Sequence, residues 1–143
     1  MDSNNKQRRL PVLAFAVLIL LALLLGGFSL FVGYNKALAP IEVLREHSAW
    51  TIHLPVLLGR FIGWAELLAA TLLIGGLGIR HLARAGYFSA IWITLNHMVA
   101  AVVHVMHEEW HTLTQSAVVI TLCLVMVALY RIRASGNHAE GGN

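Results

Sequence analysis

The sequence predicts an all-α membrane protein built as a bundle of four transmembrane helices. Of its 143 residues, 58% are hydrophobic and only 12% are charged, and the mean hydropathy is +0.72. Soluble domains carry about twice that share of charged residues. Four apolar runs each come close to the roughly 20 residues that a helix needs to cross the hydrocarbon core of a bilayer. We therefore expect a single membrane domain over residues 1–133.

The four spans follow from the apolar runs in chain order. The first run comes directly after a basic cluster and contains no charged residue. In the long connection that follows, the periodic stretch "IEVLREHSAWTIH" predicts a short interfacial helix. The polar, glycine-rich residues 134–143 predict a disordered tail. The predicted spans cover residues 10–34, 55–79, 86–108 and 113–130.

The positions of Lys and Arg predict the orientation, because cytoplasmic loops are enriched in these residues. Most of them fall on one side of the predicted bundle, while the other side has few and several glutamates. We expect both termini to lie in the cytoplasm and the protein to be a multi-pass protein of the inner (cytoplasmic) membrane. The predicted cytoplasmic side carries Lys6, Arg8, Arg9, Arg80, Arg84, Arg131 and Arg133, and the other side carries Lys36 and Arg45.

The third span ends in the histidine-rich stretch "HVMHEEWH". If that helix continued through the stretch, one face about 100° wide would carry four histidines and Glu108 and extend from mid-membrane to the water interface. Imidazoles one helical turn apart are suitable ligands for a transition metal such as zinc, copper or iron. The alternative is a wetted rim that ends the helix. The predicted metal ligands are His104, His107, His111 and Glu108, with His97 deeper on the same face.

The second span carries Arg60 and Glu66, and ionisable residues within a span usually face the bundle interior and have a partner. If the second and third spans are antiparallel, Glu66 lies near the level of His97, and His53 lies near the level of His111. These residues predict a buried polar relay. Glu66 faces either the third span or, alternatively, the first or fourth span. The predicted ligand-binding or relay residues are Arg60, Glu66, His97 and His53.

Other kinds of site are less consistent with the sequence. His107, Glu108 and His111 form the His-Glu-x-x-His motif of zinc hydrolases, but no further ligand follows in the fourth span. A di-iron site needs a second Glu-x-x-His motif, and a bis-histidine haem needs a second mid-membrane histidine. The single Cys123 excludes a disulfide or cysteine pair within the chain. The few scattered basic residues do not form a nucleic-acid surface.

The second span, "LPVLLGRFIGWAELLAATLLIGG", resembles the corresponding span of the DoxX and DoxX-like membrane proteins. Arg60, Gly63 and Glu66 carry this resemblance, together with the short basic connection "RHLARAG" and the histidine in the third span. The resemblance implies a small four-helix bundle in the cytoplasmic membrane. It also implies one of three roles: a subunit of a quinone-linked sulfur oxidoreductase, a partner in an oxidative-stress complex, or an assembly factor.

Two functions are consistent with these features. The first is a redox-associated membrane subunit, with a polar, histidine-rich pocket between the second and third spans for a metal ion or a quinone-type ligand. The second is a non-catalytic scaffold or assembly partner that docks through the Gly-x-x-x-Gly pair Gly59 and Gly63 and through the outer loop. If the protein is an enzyme, we expect an oxidoreductase subunit rather than a protease. The expected partners are lipid and other membrane or redox proteins, and a second copy in a homo-oligomer.

Overall fold

The computed structural model describes the backbone of residues 3–140 and the side chains of residues 12–79 and 81–131. Within these residues the fold is all helical, with short 3-10 turns at three connections. The α-helices are α1 (Ser3–Leu38), α2 (Ile41–Glu46), α3 (Val56–Gly78), α4 (Ala83–Met106) and α5 (Leu113–Glu140). The 3-10 turns are Trp50–His53, Arg80–Leu82 and Trp110–Thr112.

Four of these helices are long and apolar enough to cross a membrane, which confirms the predicted fold class. The segments that meet this criterion are Val12–Leu38, Val56–Gly78, Ala83–Met106 and Trp110–Arg131. The helices form a ring in which α1 packs on α3 and α5, and α4 packs on the same two helices. We call the end with residues 39–55 and 107–112 the loop end, and the other end the terminus end.

The bundle interior differs between its two halves. Toward the terminus end it is filled by a cluster of apolar side chains that includes Leu18, Leu25, Leu73, Ile93 and Met126. Many other apolar side chains, such as Leu57 and Phe61, are exposed on the perimeter. In a bilayer these side chains contact lipid, so their exposure carries no aqueous penalty. The polar residues that could form a site are therefore concentrated toward the loop end.

Helices α1 and α3 pack closely because glycines face each other across the contact. A Cβ atom on Gly63 would lie 2.8 Å from the carbonyl carbon of Lys36, and one on Gly33 would lie 3.0 Å from the carbonyl oxygen of Gly63. A Cβ on Gly59 would lie 3.3 Å from Thr51. The glycine pair predicted to dock another protein is thus buried within this chain. This part of the scaffold hypothesis is wrong, because α1 and the first loop cover the pair.

The helix ends differ from the predicted ones in three places. Helix α1 continues beyond residue 34 to Leu38, so Lys36 lies in a helix and not in a loop. Helix α4 ends at Met106, before the end of the histidine-rich stretch. Helix α5 continues to Glu140 and overlaps the predicted disordered tail, since no proline interrupts it there; residues 141–143 lie outside the described residues. The predicted interfacial helix corresponds to α2 and the turn after it.

Candidate functional site

The end of α4 is set by a backbone cap rather than by the histidines. Glu108 has a positive φ of 60°. Its N–H donates to the carbonyl of Val105 at 3.2 Å, and the N–H of Glu109 donates to the carbonyl of His104 at 2.9 Å. This pair of bonds is a Schellman motif, in which a left-handed residue ends the helix. Glycine usually occupies that position, so the sequence gives no clear signal of the end.

The turn brings the side chain of Glu109 back against α4. His104 Nδ1 lies 2.6 Å from Glu109 Oε2, and His53 Nε2 lies 3.2 Å from Glu109 Oε1. A carboxylate only accepts hydrogen bonds, so both rings donate to it. His104 is buried, whereas His53 and Glu109 are each 19% exposed. One carboxylate therefore connects a buried imidazole of α4 with an imidazole of the first loop.

The electrostatics of this cluster favour the ionised form of Glu109. Partial burial acts to raise the pKa of its carboxyl group. The hydrogen bonds from His104 and His53, and the charges of those rings, act in the opposite direction and outweigh burial. The pKa of Glu109 consequently lies below its ordinary value. Glu109 remains a hydrogen-bond acceptor over the whole neutral pH range.

The structure does not bring the four predicted metal ligands together. His107 stacks on the ring of His53, with centroids 3.6 Å apart, and its Nδ1 donates to the carbonyl of Val103 at 2.9 Å. Glu108 and His111 are exposed beyond the helix end. Among the side chains that are described, no group of three His, Cys, Asp or Glu could hold a metal ion. The prediction that one face of a continuous helix carries all four ligands is wrong, because the helix ends at Met106.

The same helix end breaks the His-Glu-x-x-His arrangement. In zinc hydrolases both histidines lie on one helix, a turn apart, so that they meet at a single ion. Here His107 is the residue that caps α4, and His111 lies in a separate 3-10 turn. Glu108, between them, has left-handed backbone geometry. The motif therefore lacks the helical geometry that zinc-hydrolase chemistry requires.

Glu66 faces α1 and forms a buried ion pair there. Lys36 Nζ lies 2.7 Å from Glu66 Oε2, and the exposed fractions of the two side chains are 4% and 0%. Lys36 Nζ also lies 5.6 Å from the ring centroid of Trp50, a distance that permits a cation–π contact. Arg60 donates to the backbone carbonyl of Lys36 at 2.9 Å. Arg60 thus caps the end of α1.

His97 lies in the buried interior between α4 and α1. Its Nδ1 donates to the carbonyl of Ile93 at 3.0 Å, and its ring lies 6.1 Å from the ring of Phe28. Glu66 and Lys36 are close enough to act on it electrostatically. Because a carbonyl only accepts, the Nδ1 atom carries the proton. In the neutral ring, Nε2 is then an unprotonated acceptor.

A cavity of about 370 Å³ lies beside these residues at the loop end. It is bounded by α1, α4, the start of α5 and the first loop, and no residue of α3 lines it. The sequence predicts a pocket between α3 and α4, whereas this cavity lies away from α3. Glycines let α1 pack tightly on α3, while the α1–α5 contact is the smallest in the ring. The lining residues are Phe28, Phe31, Val32, Asn35, Lys36, Val43, Leu44, His47, Ser48, Ala49, Trp50, His97, Ala100, His104, Thr112, Gln115 and Ser116.

The cavity wall combines apolar area with a few hydrogen-bonding groups. Lys36 supplies a cationic donor, and the buried Nε1 of Trp50 is a donor without a hydrogen-bond partner among the described residues. His97 and His104 each use Nδ1 elsewhere, so their Nε2 atoms are acceptors in the neutral rings. Such a wall suits a mostly apolar ligand that carries oxygen groups.

Three residues of this site were not among the predicted ones. They are Lys36, which lies beyond the predicted end of the first span, Trp50, and Glu109, the neighbour of the predicted ligand Glu108. One signal for Lys36 was present in the sequence. Glu66 required a cationic partner inside the membrane, and Lys36 is the lysine nearest to the first span. The role of Glu109 depends on the left-handed turn and had no comparable signal.

The comparisons with known proteins agree with this fold. The model of the DoxX-like family matches residues 9–128, a range that includes nearly all of the four apolar segments. No curated protein and no solved structure is significantly similar to the chain. The resemblance seen in the second span is thereby confirmed. This multi-pass membrane protein belongs to the DoxX-like family.

Proposed function

We propose that the protein is a redox-associated membrane subunit that binds a quinone-type ligand in the cavity at the loop end. The observation that carries this proposal is the cavity of about 370 Å³, which combines aromatic walls with Trp50 Nε1, a buried donor that has no hydrogen-bond partner in the described part of the chain. Its volume is at the lower end of the range of small-molecule pockets, about 300 to 1,000 Å³. A benzoquinone ring with a short part of its tail is a ligand of suitable size and polarity.

The surroundings of the cavity favour a ligand that arrives from the bilayer. Phe31 lines the cavity and is also 68% exposed on the perimeter of the bundle. Gln115 lines it from the facing side on α5 and is exposed as well. The gap between these helices, at their small mutual contact, therefore leads toward lipid. A quinone is dissolved in the bilayer and has access to such an opening.

The hydrogen-bonding groups match both redox forms of such a ligand. Lys36 and Trp50 donate, as the carbonyl oxygens of the oxidised form require. The Nε2 atoms of His97 and His104 accept, as the hydroxyl groups of the reduced form require. A site that satisfies both forms suits a redox ligand. The metal-ion form of the hypothesis has less support, because the predicted ligands point to separate hydrogen-bond partners.

The placement in the cell is part of the same proposal. The bias in Lys and Arg favours cytoplasmic termini in the inner membrane, with the loop end on the opposite side. The redox partner is then a protein that exchanges electrons with the ligand bound at the loop end. The scaffold alternative loses the support of the glycine pair, because Gly59 and Gly63 are covered by the chain itself.

The proposal is tested by measuring quinone binding in lipid nanodiscs. A short-chain benzoquinone is titrated into nanodiscs with and without the protein, and the saturable difference is taken as specific binding. We expect about one site per chain. His97→Leu removes an acceptor and is expected to weaken binding of the hydroquinone about tenfold, which corresponds to roughly 1.4 kcal/mol. The matched control is Met98→Leu, a change at the exposed neighbouring residue. Absence of saturable binding to the unaltered protein would overturn the proposal.

A further inference from the structure

We propose that His104, Glu109 and His53 form a proton route between the cavity and the water at the loop end. The inference rests on the proposed function, because a proton must leave the site whenever a bound hydroquinone is oxidised. It assigns a role to Glu109, which lies outside the cavity and does not contact the ligand. Glu109 is in this sense a proton-transfer residue, and His53 is a positioning residue.

The route is continuous in the structure. The ring of His104 lines the cavity and is buried. Its Nδ1 lies 2.6 Å from Glu109 Oε2, and Glu109 Oε1 lies 3.2 Å from His53 Nε2. Glu109 and His53 reach the surface, since each is 19% exposed. Along this route, a single buried ring and a single carboxylate lie between the cavity and water.

The opposite half of the bundle has no comparable route among the described side chains. There the interior is occupied by the apolar core cluster, with Leu18, Leu25, Leu73 and Ile93 at its centre. The buried ion pair of Lys36 and Glu66 lies on the loop side of this cluster. A proton released in the cavity therefore has its shortest path to water through the loop end.

The resting hydrogen bonds set the direction of transfer. In the neutral ring, His104 donates from Nδ1 to an ionised carboxylate, so its Nε2 is free to accept a proton from a ligand hydroxyl. As Nε2 gains that proton, the Nδ1 proton moves to Glu109, and the carboxyl group then loses it to water. One proton enters the ring and one leaves it, so no charge is left behind. A second proton follows once the ring has returned to its first tautomer.

The complete reaction balances when an oxidant takes the electrons. A hydroquinone that becomes a quinone loses two electrons, one to each of two molecules of a one-electron acceptor, and two protons to the route.

Other titratable groups face the same region. His107 stacks on His53 at 3.6 Å, and His47 and Lys36 line the cavity. Among the described side chains, Glu109 is the group that forms a hydrogen bond with the His104 ring and also reaches the surface.

The test follows oxidation of pre-bound hydroquinone. Purified protein is loaded with a short-chain hydroquinone, freed of excess ligand and mixed with ferricyanide, and quinone formation is followed by its ultraviolet absorbance. Glu109→Gln keeps the shape of the side chain but cannot take up the proton. We expect it to slow oxidation about tenfold or more, as for loss of a general base, with hydroquinone affinity unchanged. The control His111→Gln alters an exposed histidine at the same end and is expected to leave the rate unchanged.

The outcomes separate the two proposals. If the unaltered protein binds no hydroquinone, both the proposed function and the route are overturned. If it binds hydroquinone but Glu109→Gln oxidises it within twofold of the unaltered rate, only the route is overturned. Should Glu109→Gln fail to fold, the solvent isotope effect of the unaltered protein decides. A rate that falls in D2O, and falls less in His53→Gln, supports the route. A rate equal in both solvents, or a D2O effect that is the same in His53→Gln, overturns it.

Discussion

Lys36 Nζ lies 2.7 Å from Glu66 Oε2 in the interior of the bundle, and the pair joins α1 to α3. Both charges are removed from water, and each is stabilised chiefly by the other. The close approach of the two helices at Gly63 brings the backbone of Lys36 to this position. Packing and electrostatics at this contact therefore depend on each other, and they hold Lys36 at the wall of the cavity.

Removal of one charge of the pair should destabilise the fold strongly. Lys36→Met leaves Glu66 buried without a partner, at an expected cost of about 3 to 5 kcal/mol in the free energy of unfolding. The double variant Lys36→Met with Glu66→Leu removes both charges and should recover most of this loss. The measurement is unfolding in mixed micelles with increasing SDS. Arg45→Met, at an exposed position, is the control. A double variant no more stable than the single one would contradict the pairing.

The contact at Gly63 should not tolerate a methyl group. A Cβ at this position would come within 2.9 Å of the Cα of Ala37, which is backbone and cannot rotate away. We expect Gly63→Ala to cost about 1 to 3 kcal/mol, as for an overpacked core. Gly27→Ala in α1 is the matched control, because nothing lies within 4 Å of its added Cβ. Helix propensity alone should make that control neutral or more stable by up to about 1 kcal/mol. Equal changes in Tm for Gly63→Ala and Gly27→Ala would contradict the close packing at Gly63.

The cavity should close when its wall is enlarged. Ala100 is buried and lines the cavity, so Ala100→Leu places three more carbon atoms in that space. We expect saturable quinone binding to weaken about tenfold or more, a change of roughly 1.4 kcal/mol, with little effect on Tm. Ala101→Leu is the control, since the neighbouring side chain faces a groove on the other side of α4. Unchanged binding in Ala100→Leu would place the ligand elsewhere.

The fold could be predicted well because hydropathy over a span is a sum of many residues. The four spans and the all-helical class do not depend on any single position. The partner of Glu66 was harder to predict. The depth of a residue along its helix limits which residues lie at the same level, but it does not give the direction that the side chain faces. The end of α4 was missed because Glu108 occupies a position that usually carries glycine. That single dihedral angle separates His107 from His111 and brings Glu109 to His104.

The left-handed turn after α4 should become more stable with glycine. Glu108 has φ 60°, a conformation that costs a residue with a Cβ about 1 to 2 kcal/mol. Glu108→Gly should therefore raise Tm, whereas Glu108→Ala should not. Ser48, with φ 48° at the end of α2, offers a second test of the same rule. A loss of stability in Glu108→Gly would show that the carboxylate of Glu108 has a structural role, which the exposed position does not indicate.

The cluster around Glu109 should make stability depend on pH in the acidic range. The pKa of this carboxyl group is lower in the folded protein than its ordinary value of 4.5. Its contribution to stability is therefore complete above that value and is lost as the pH falls through the folded pKa. The quantity to measure is the difference in Tm between the unaltered protein and Glu109→Gln from pH 7 to pH 3. We expect a constant positive difference near neutral pH that shrinks below about pH 4.5. Glu108→Gln, which changes the neighbouring exposed carboxylate, is the matched control. A difference for Glu109→Gln that persists at the lowest pH would mean that His104 and His53 do not depend on the ionised form of Glu109.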